Sequence, residues 1–226
     1  MFFFDPLYLL VVMLPGMLIS GAASLAVRAA FNRYSQVMTR RGITGAQAAQ
    51  ILLQGAGIGD VNIVPTRGHL SDHYNPSNRQ LALSEDVYNS SSVAAVGIAC
   101  HEAGHAIQHA EQYAFLGMRT ALVPLAGIGS SLGYMVMLAG LFLSMTPLLL
   151  VGAALFSLVL VFQVITLPVE FDASARAKRL VLEAGIVDPD ERAGIDRVLN
   201  AAALTYVAAV ISSLLTLLYF FMRARE

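Results

Sequence analysis

Four long apolar stretches dominate the pattern of hydrophobic and polar positions along the 226-residue chain. They cover residues 7–27, 122–145, 147–167 and 201–222, and none of them contains Lys, Arg, Asp or Glu. A helix needs about 20 apolar residues to cross the hydrocarbon core of a bilayer. The pattern therefore predicts a mainly α protein with four transmembrane helices, the second and third forming a tight hairpin.

The first apolar stretch differs from a cleaved secretory signal. Residues 1–5 contain no Lys or Arg, and the apolar run that follows is long. We therefore predict a retained anchor, whose helix starts at Pro6 with Asp5 as its cap.

The polar residues are concentrated in two regions, 28–121 and 168–200. These regions hold twelve of the fourteen Lys and Arg residues. Because positive residues favour the cytoplasmic side of a membrane, we place both regions in the cytoplasm and both termini outside. The protein is then a multi-pass protein of the bacterial inner or plasma membrane, built as one domain over residues 1–226.

The first polar region predicts a helix followed by a small sheet. Thr44 and Gln47 have the spacing of a capping box, so a short helix is expected over 46–54. Three extended segments follow at 61–65, 70–74 and 80–83, separated by turn-forming residues. We expect these segments to form a small antiparallel β-sheet at the membrane surface.

The second polar region predicts two helices. One opens at Leu167, carries a carboxylate in its first turn and is closed by Gly185. The other has Asp188 as its cap and Pro189 as its first residue. It is expected to continue into the last span.

The motif with a specific chemical meaning is H-E-A-G-H at residues 101–105. Serines and then an apolar run fill residues 90–100, which predicts a capped, buried helix that carries the motif. On that helix His101 and His105 lie one turn apart on the same face, so that both imidazoles reach one metal ion. This is the H-E-x-x-H pattern, whose usual metal is zinc and whose glutamate, here Glu102, is the general base. A buried helix without a metal is disfavoured, because burying these three side chains together is costly.

A catalytic zinc takes three protein ligands and leaves one position open. Candidates for the third ligand are His69, His73, His109, Glu111, Glu170 and Asp172. We prefer Glu170, because the predicted hairpin returns the chain to the side of the motif and delivers this residue close to it. Asp172 is the main rival, and since positions two apart point about 200° apart on a helix, the two cannot both bind one ion.

Composition narrows the function classes. A mean hydropathy of +0.66 and 13% charged residues are too apolar for an ordinary soluble domain. The net charge of −1 gives no indication of a nucleic-acid partner. The single cysteine, Cys100, excludes an internal disulfide and a Cys-rich metal site.

Residues 99–106 (ACHEAGHA) and 167–174 (LPVEFDAS) resemble the bacterial neutral zinc membrane metallopeptidase family. The likeness extends to residues 71–76, 83–88 and 201–206. It implies Zn²⁺ as cofactor, with His101, His105 and Glu170 as ligands and Glu102 as catalytic base. In more distant relatives, the heat-shock-type membrane proteases and CAAX prenyl proteases, an Asp four residues after the ligand Glu holds a motif histidine. Ser174 occupies that position here, so the partner of the histidine stays open between Asp172 and other groups.

We therefore expect a membrane-anchored zinc endopeptidase that acts on a peptide or protein substrate, with membrane proteins among the candidates. One alternative is an intramembrane zinc protease of the site-2 type, which normally takes an Asp from a later span. No later span of this chain holds an acid. The other alternative is a non-enzymatic membrane scaffold with a structural zinc, which has no need of the base Glu102.

Overall fold

The structure is a computed structural model that describes residues 6–225. The helices are α1 (Pro6–Tyr34), α2 (Gly45–Gly55), α3 (Glu85–Tyr88), α4 (Val93–Ala110), α5 (Ala114–Phe142), α6 (Thr146–Glu183) and α7 (Arg192–Arg223). The strands are β1 (Asn62–Thr66), β2 (His73–Asn75) and β3 (Gln80–Ser84). Helices α1 and α5 each contain a π-helical turn, at Leu9–Met13 and Gly129–Gly133. The predicted cap of α1, Asp5, lies outside the described residues.

Helices α1, α5, α6 and α7 are long and apolar enough to cross a membrane. Three of them contain a whole predicted stretch and α5 contains residues 122–142 of the stretch 122–145, so the mainly α prediction with four candidate spans is confirmed. Helix α5 ends at Phe142 rather than at residue 145, because Ser144 adopts a left-handed φ of 53° in the turn before α6.

Helix α6 corrects the prediction that a new helix opens at Leu167. The helix is continuous from Thr146 to Glu183, and Pro168 lies inside it. A proline lacks the N–H that would bond to the carbonyl four residues earlier, which usually ends a helix in a soluble protein. Helices that cross membranes tolerate proline better. Glu170 therefore lies in the middle of a long helix, which ends before Gly185 at a φ of +62°.

Helix α7 starts at Arg192, not at Pro189 as predicted. Residues 188–191 form a turn that Glu191 holds in place. Its carboxylate accepts hydrogen bonds from the backbone N–H of Asp188 and from that of Arg40, both at 2.8 Å. The predicted continuation of this helix into the last span is confirmed.

The chain divides into two compact units. Unit 1 comprises Met1–Ser24, Gly117–Pro168 and Leu204–Glu226, and unit 2 comprises Leu25–Leu116 and Val169–Ala203. The core of unit 1 is formed by Val12, Met137, Leu149, Ala153, Leu217, Tyr219 and Phe220. That residues 1–226 act as one domain stays a prediction.

Unit 2 is built around α4, which is buried along most of its length. The Ser92 hydroxyl caps this helix by accepting a hydrogen bond from the Ala95 N–H at 3.2 Å, as the serine run predicts. The capping box before α2 is also confirmed. The Thr44 hydroxyl accepts from the Gln47 N–H at 3.3 Å, and the Gln47 side chain accepts from the Thr44 N–H at 2.9 Å.

The sheet of unit 2 is mixed, with the strand order β1-β3-β2. Strand β3 pairs antiparallel with β2 and parallel with β1. The prediction of a purely antiparallel sheet is therefore wrong for the pair β1 and β3. Leu81 and Leu83 are fully buried, which favours the middle position for β3. The connection over residues 67–79 has the length of about a dozen residues that parallel pairing requires. Strand β2 is shorter than the predicted 70–74, because Leu70 has a φ of 54°.

Candidate metal centre

His101 and His105 on α4 face Glu170 on α6, all within unit 2. Oε2 of Glu170 lies 3.3 Å from Nε2 of His101 and 3.5 Å from Nε2 of His105. One ligand atom from each of the three residues lies within 4.8 Å of the other two. The structure therefore brings together the two motif histidines and the preferred acid.

The three side chains fit a zinc ion by distance and by chemistry. Zinc bound at 2.0–2.1 Å in a tetrahedron has ligand atoms separated by about 3.3 Å. The two separations from Glu170 Oε2, 3.3 and 3.5 Å, match that edge. Two imidazoles and one carboxylate are also a ligand set that catalytic zinc sites use.

The surroundings of this group are largely closed to solvent. The exposed fractions of the His101, His105 and Glu170 side chains are 13%, 9% and 2%. Burial lowers the pKa of His105, but the hydrogen bond to Glu170 and the charges of Glu102 and Glu170 outweigh burial and raise that pKa. The site thus holds negative charge that attracts a proton or a cation.

Glu102 is buried beside the two histidines, with 8% of its surface exposed. Its charge contributes to the raised pKa of His105. Within residues 6–225 the structure shows no hydrogen bond to this carboxylate. Its acceptor sites are therefore not taken up by a donor from the described residues.

Each motif histidine has a hydrogen-bond partner on its other ring nitrogen. Nδ1 of His101 lies 3.1 Å from the Ser174 hydroxyl, and Nδ1 of His105 lies 3.0 Å from Oε1 of Gln108. Ser174 occupies the position where the distant relatives have an Asp, so a serine is the histidine partner here. Gln108 is a residue that the sequence analysis missed. Its signal is the spacing of three from His105, which places both on one helix face.

Asp172 lies outside the three-residue metal group. Its Oδ2 accepts hydrogen bonds from Nε2 of Gln108 at 2.8 Å and from Nε of Arg176 at 2.6 Å. Glu111, another candidate ligand, pairs with Nη1 of the same Arg176 at 2.6 Å. Both acids therefore bond to this arginine.

The remaining histidines have other partners. Nδ1 of His69 lies 3.2 Å from the Asp86 carboxylate, and Nδ1 of His73 lies 2.8 Å from the carbonyl oxygen of Ser71. Nδ1 of His109 lies 2.8 Å from the Tyr74 hydroxyl. None of the three belongs to the metal group found among the described residues.

Two comparisons relate the chain to known proteins. The model of a family described as "Putative neutral zinc metallopeptidase" matches residues 9–225. The chain is also 44% identical over 200 residues to "Putative membrane protease YugP" of Bacillus subtilis (strain 168), with 88% of this chain and 89% of that relative covered. No solved structure matches the chain. The four apolar helices and the match to a membrane protease show that the chain is an integral membrane protein. The two matches also show that the chain belongs to the neutral zinc metallopeptidase family.

Proposed function

We propose that this protein is a membrane-anchored zinc endopeptidase. His101, His105 and Glu170 hold one Zn²⁺, and Glu102 is the general base. The observation that carries the proposal is the convergence of three ligand atoms within 4.8 Å, with both separations from Glu170 Oε2 close to the edge of a zinc tetrahedron. The buried Glu102 carboxylate beside them, without a hydrogen bond from the described residues, supports a catalytic rather than a structural centre.

Bound zinc would supply Lewis acidity, lowering the pKa of a coordinated water to about 7 and polarising the scissile carbonyl. Glu102 then accepts the proton of the attacking water, because its carboxylate has open acceptor sites. The same carboxylate, now protonated, donates this proton to the nitrogen of the leaving amine. Glu102 thus acts first as a base and then as an acid.

The other residues of the centre bind and orient. His101 and His105 present their Nε2 lone pairs to the ion, and Ser174 and Gln108 hold the opposite nitrogens of the two rings. The Glu170 carboxylate offsets one of the two charges of the ion. Because only three residues of the described part converge, one coordination position is left for water or substrate.

Zinc is favoured over manganese, iron or cobalt by the donor set and by the family. The proposed substrate is a peptide or protein, with membrane proteins among the candidates, since the centre belongs to a chain with four candidate spans. The excess of Lys and Arg in residues 28–121 and 168–200 supports a cytoplasmic location for the centre.

The test compares the wild-type protein with Glu102→Gln, which keeps the shape of the side chain and removes the base. Both proteins are purified in detergent, their zinc content is measured, and cleavage of fluorescein-labelled casein and of an unfolded membrane protein is followed. We expect one zinc per chain in both proteins and cleavage by the wild type alone. Glu85→Gln, at an exposed position in α3, is the matched control and should cleave like the wild type.

Undiminished cleavage by Glu102→Gln would refute the assignment of the base. A wild-type protein that binds zinc through four protein ligands, without water and without cleavage, would favour the scaffold alternative. A wild-type protein that binds no zinc would contradict the proposal as a whole.

A further inference from the structure

Gln108 is fully buried and uses both ends of its amide. Its Nε2 donates hydrogen bonds to the carbonyl oxygen of Val169 and to Oδ2 of Asp172, both at 2.8 Å. Its Oε1 lies 3.0 Å from Nδ1 of His105. One side chain of α4 therefore connects a candidate zinc ligand with the backbone and an acid of α6.

The partners of this amide determine its orientation. A backbone carbonyl oxygen only accepts hydrogen bonds, and an ionised carboxylate also only accepts. Oδ2 of Asp172 already accepts a hydrogen bond from Nε of Arg176 at 2.6 Å, so this oxygen is an acceptor. The NH₂ end of Gln108 must therefore face Val169 and Asp172, since the reversed amide would place its oxygen against two acceptors.

The orientation of Gln108 in turn determines the tautomer of His105. Because Oε1 of Gln108 can only accept, Nδ1 of His105 must carry the hydrogen. Nε2 of the same neutral ring is then left with a lone pair. This is the nitrogen that lies 3.5 Å from Oε2 of Glu170, on the side where the ion would bind.

We propose that Gln108 is the positioning residue that sets the tautomer and ring orientation of His105 for zinc binding, with Asp172 and Arg176 anchoring it. This inference rests on the proposed function, because it assigns how one proposed ligand is prepared. Hydrogen bonds that hold the free nitrogen of a metal-binding histidine fix its orientation and raise its basicity. Asp172 thus contributes to the centre without binding the ion.

His101 differs from His105 in this respect. Its Nδ1 is paired with the hydroxyl of Ser174, which can donate or accept. A hydroxyl by itself does not choose the tautomer of the ring. The Gln108 contact therefore fixes the tautomer of its histidine, whereas the Ser174 contact does not.

The test measures zinc affinity with a competing chelator and the tautomer of His105 by ¹⁵N NMR of protein labelled at its histidine rings. Gln108→Met removes both ends of the amide at similar volume. We expect zinc affinity to fall about 10–100-fold and the hydrogen-bonded Nδ1–H signal of His105 to change. Gln50→Met, at an exposed position in α2, is the control and should leave both readouts unchanged.

A pair of compensating substitutions separates positioning from a general structural role. Gln108→Glu keeps an acceptor for His105 but places a carboxylate against Asp172. In the double variant with Asp172→Asn, the amide at position 172 can donate a hydrogen bond to the carboxylate at position 108, so two carboxylates no longer face each other. We expect the double variant to bind zinc more tightly than Gln108→Glu alone, whereas simple loss of packing gives no such recovery.

The inference is overturned if Gln108→Met binds zinc within about twofold of the wild type, or if the zinc-loaded wild type shows His105 bound through Nδ1. A double variant no tighter than Gln108→Glu also contradicts it. In these cases the wild type still binds zinc, so the proposed function stands. Failure of the wild type to bind zinc would instead contradict the proposed function.

Discussion

Gly104 of α4 lies directly against the backbone of Ala173 in α6. A Cβ added to Gly104 would be 2.8 Å from the carbonyl oxygen of Ala173 and 3.3 Å from its Cα. Real Cβ atoms do not approach a backbone oxygen so closely, so only glycine permits this spacing. Because Gly104 lies between the two motif histidines and Ala173 lies three residues after Glu170, the missing side chain allows the three candidate ligands to meet.

We predict that Gly104→Ala weakens zinc binding. The added methyl group meets a backbone atom that cannot rotate away, so α4 and α6 must separate, and overpacking of this kind costs about 1–3 kcal/mol. A metal site tolerates ligand distances only within about 0.2 Å. The zinc-bound state needs the two helices close together, whereas the zinc-free state lets them separate. If this difference costs about 1.4 kcal/mol of binding free energy, zinc affinity falls about tenfold. Chelator competition measures this change.

Gly117→Ala is the matched control for that prediction. A Cβ at Gly117 meets nothing within 4 Å, and alanine is favoured over glycine in a helix by about 0.8–1 kcal/mol. Its zinc affinity should equal that of the wild type. Equal zinc affinity for Gly104→Ala would show that the close approach is not required.

Alanine substitutions of Glu170 and Asp172 should have unequal effects on metal content. Glu170→Ala removes one of the three proposed ligands. Losing a residue that only hydrogen-bonds to a ligand lowers metal affinity roughly 10–100-fold, so the zinc affinity of Glu170→Ala should fall by more than this. Asp172→Ala removes an anchor of Gln108 and should stay within that range. Metal analysis of the two purified variants beside the wild type measures the difference. The reverse order would identify Asp172 as the third ligand.

The grouping of the two motif histidines could be predicted from the sequence, because a helix fixes the relative positions of residues four apart. His101, Glu102 and His105 needed only the helical period and the capping serines. Glu170 needed in addition the folding back of the chain. The placement of this acid just after an apolar stretch was enough to predict that it lies near the histidines, even though the predicted start of its helix was wrong.

Other features depended on contacts that no local pattern encodes. The parallel pairing of β1 and β3 depends on the strand order β1-β3-β2, in which β1 pairs with β3 and not with β2, and a single sequence does not state this order. The role of Gln108 depended on a carbonyl oxygen 61 residues away along the chain, that of Val169. The helix start predicted at Leu167 was wrong because a proline such as Pro168 often starts helices in water but is tolerated inside helices that cross a membrane.

Ser92→Ala should destabilise the helix that carries the motif. It removes the hydroxyl that accepts from the Ala95 N–H, and the loss of such a cap costs about 1 kcal/mol, up to about 2. For a chain of this length that corresponds to a fall of roughly 2–4 °C in Tm per kcal/mol. Thermal unfolding in detergent measures the shift. Ser77→Ala, at an exposed position between β2 and β3, should leave Tm unchanged, and an equal shift in both variants would contradict the capping role.

Asp72 should make the stability of the protein depend on pH. Burial raises the pKa of its carboxyl, while hydrogen bonds from the Ser84 N–H and hydroxyl, at 2.8 and 3.0 Å, and the charge of His69 oppose that rise. The folded state therefore holds this proton more firmly than the unfolded state does. The resulting stability is present below the ordinary value of 3.8 and is lost as the pH rises through the raised pKa.

Asp72→Asn removes this titration, so the wild type should lose stability relative to the variant as the pH rises from about 3 to about 7. Thermal unfolding with a chelator present at every pH measures the difference in Tm and keeps metal binding out of it. Ser84→Ala should extend the loss to higher pH, because the removed hydroxyl is a donor that favours the ionised carboxylate. A wild type that gains stability relative to Asp72→Asn with rising pH would mean that the Ser84 bonds outweigh burial at this carboxylate.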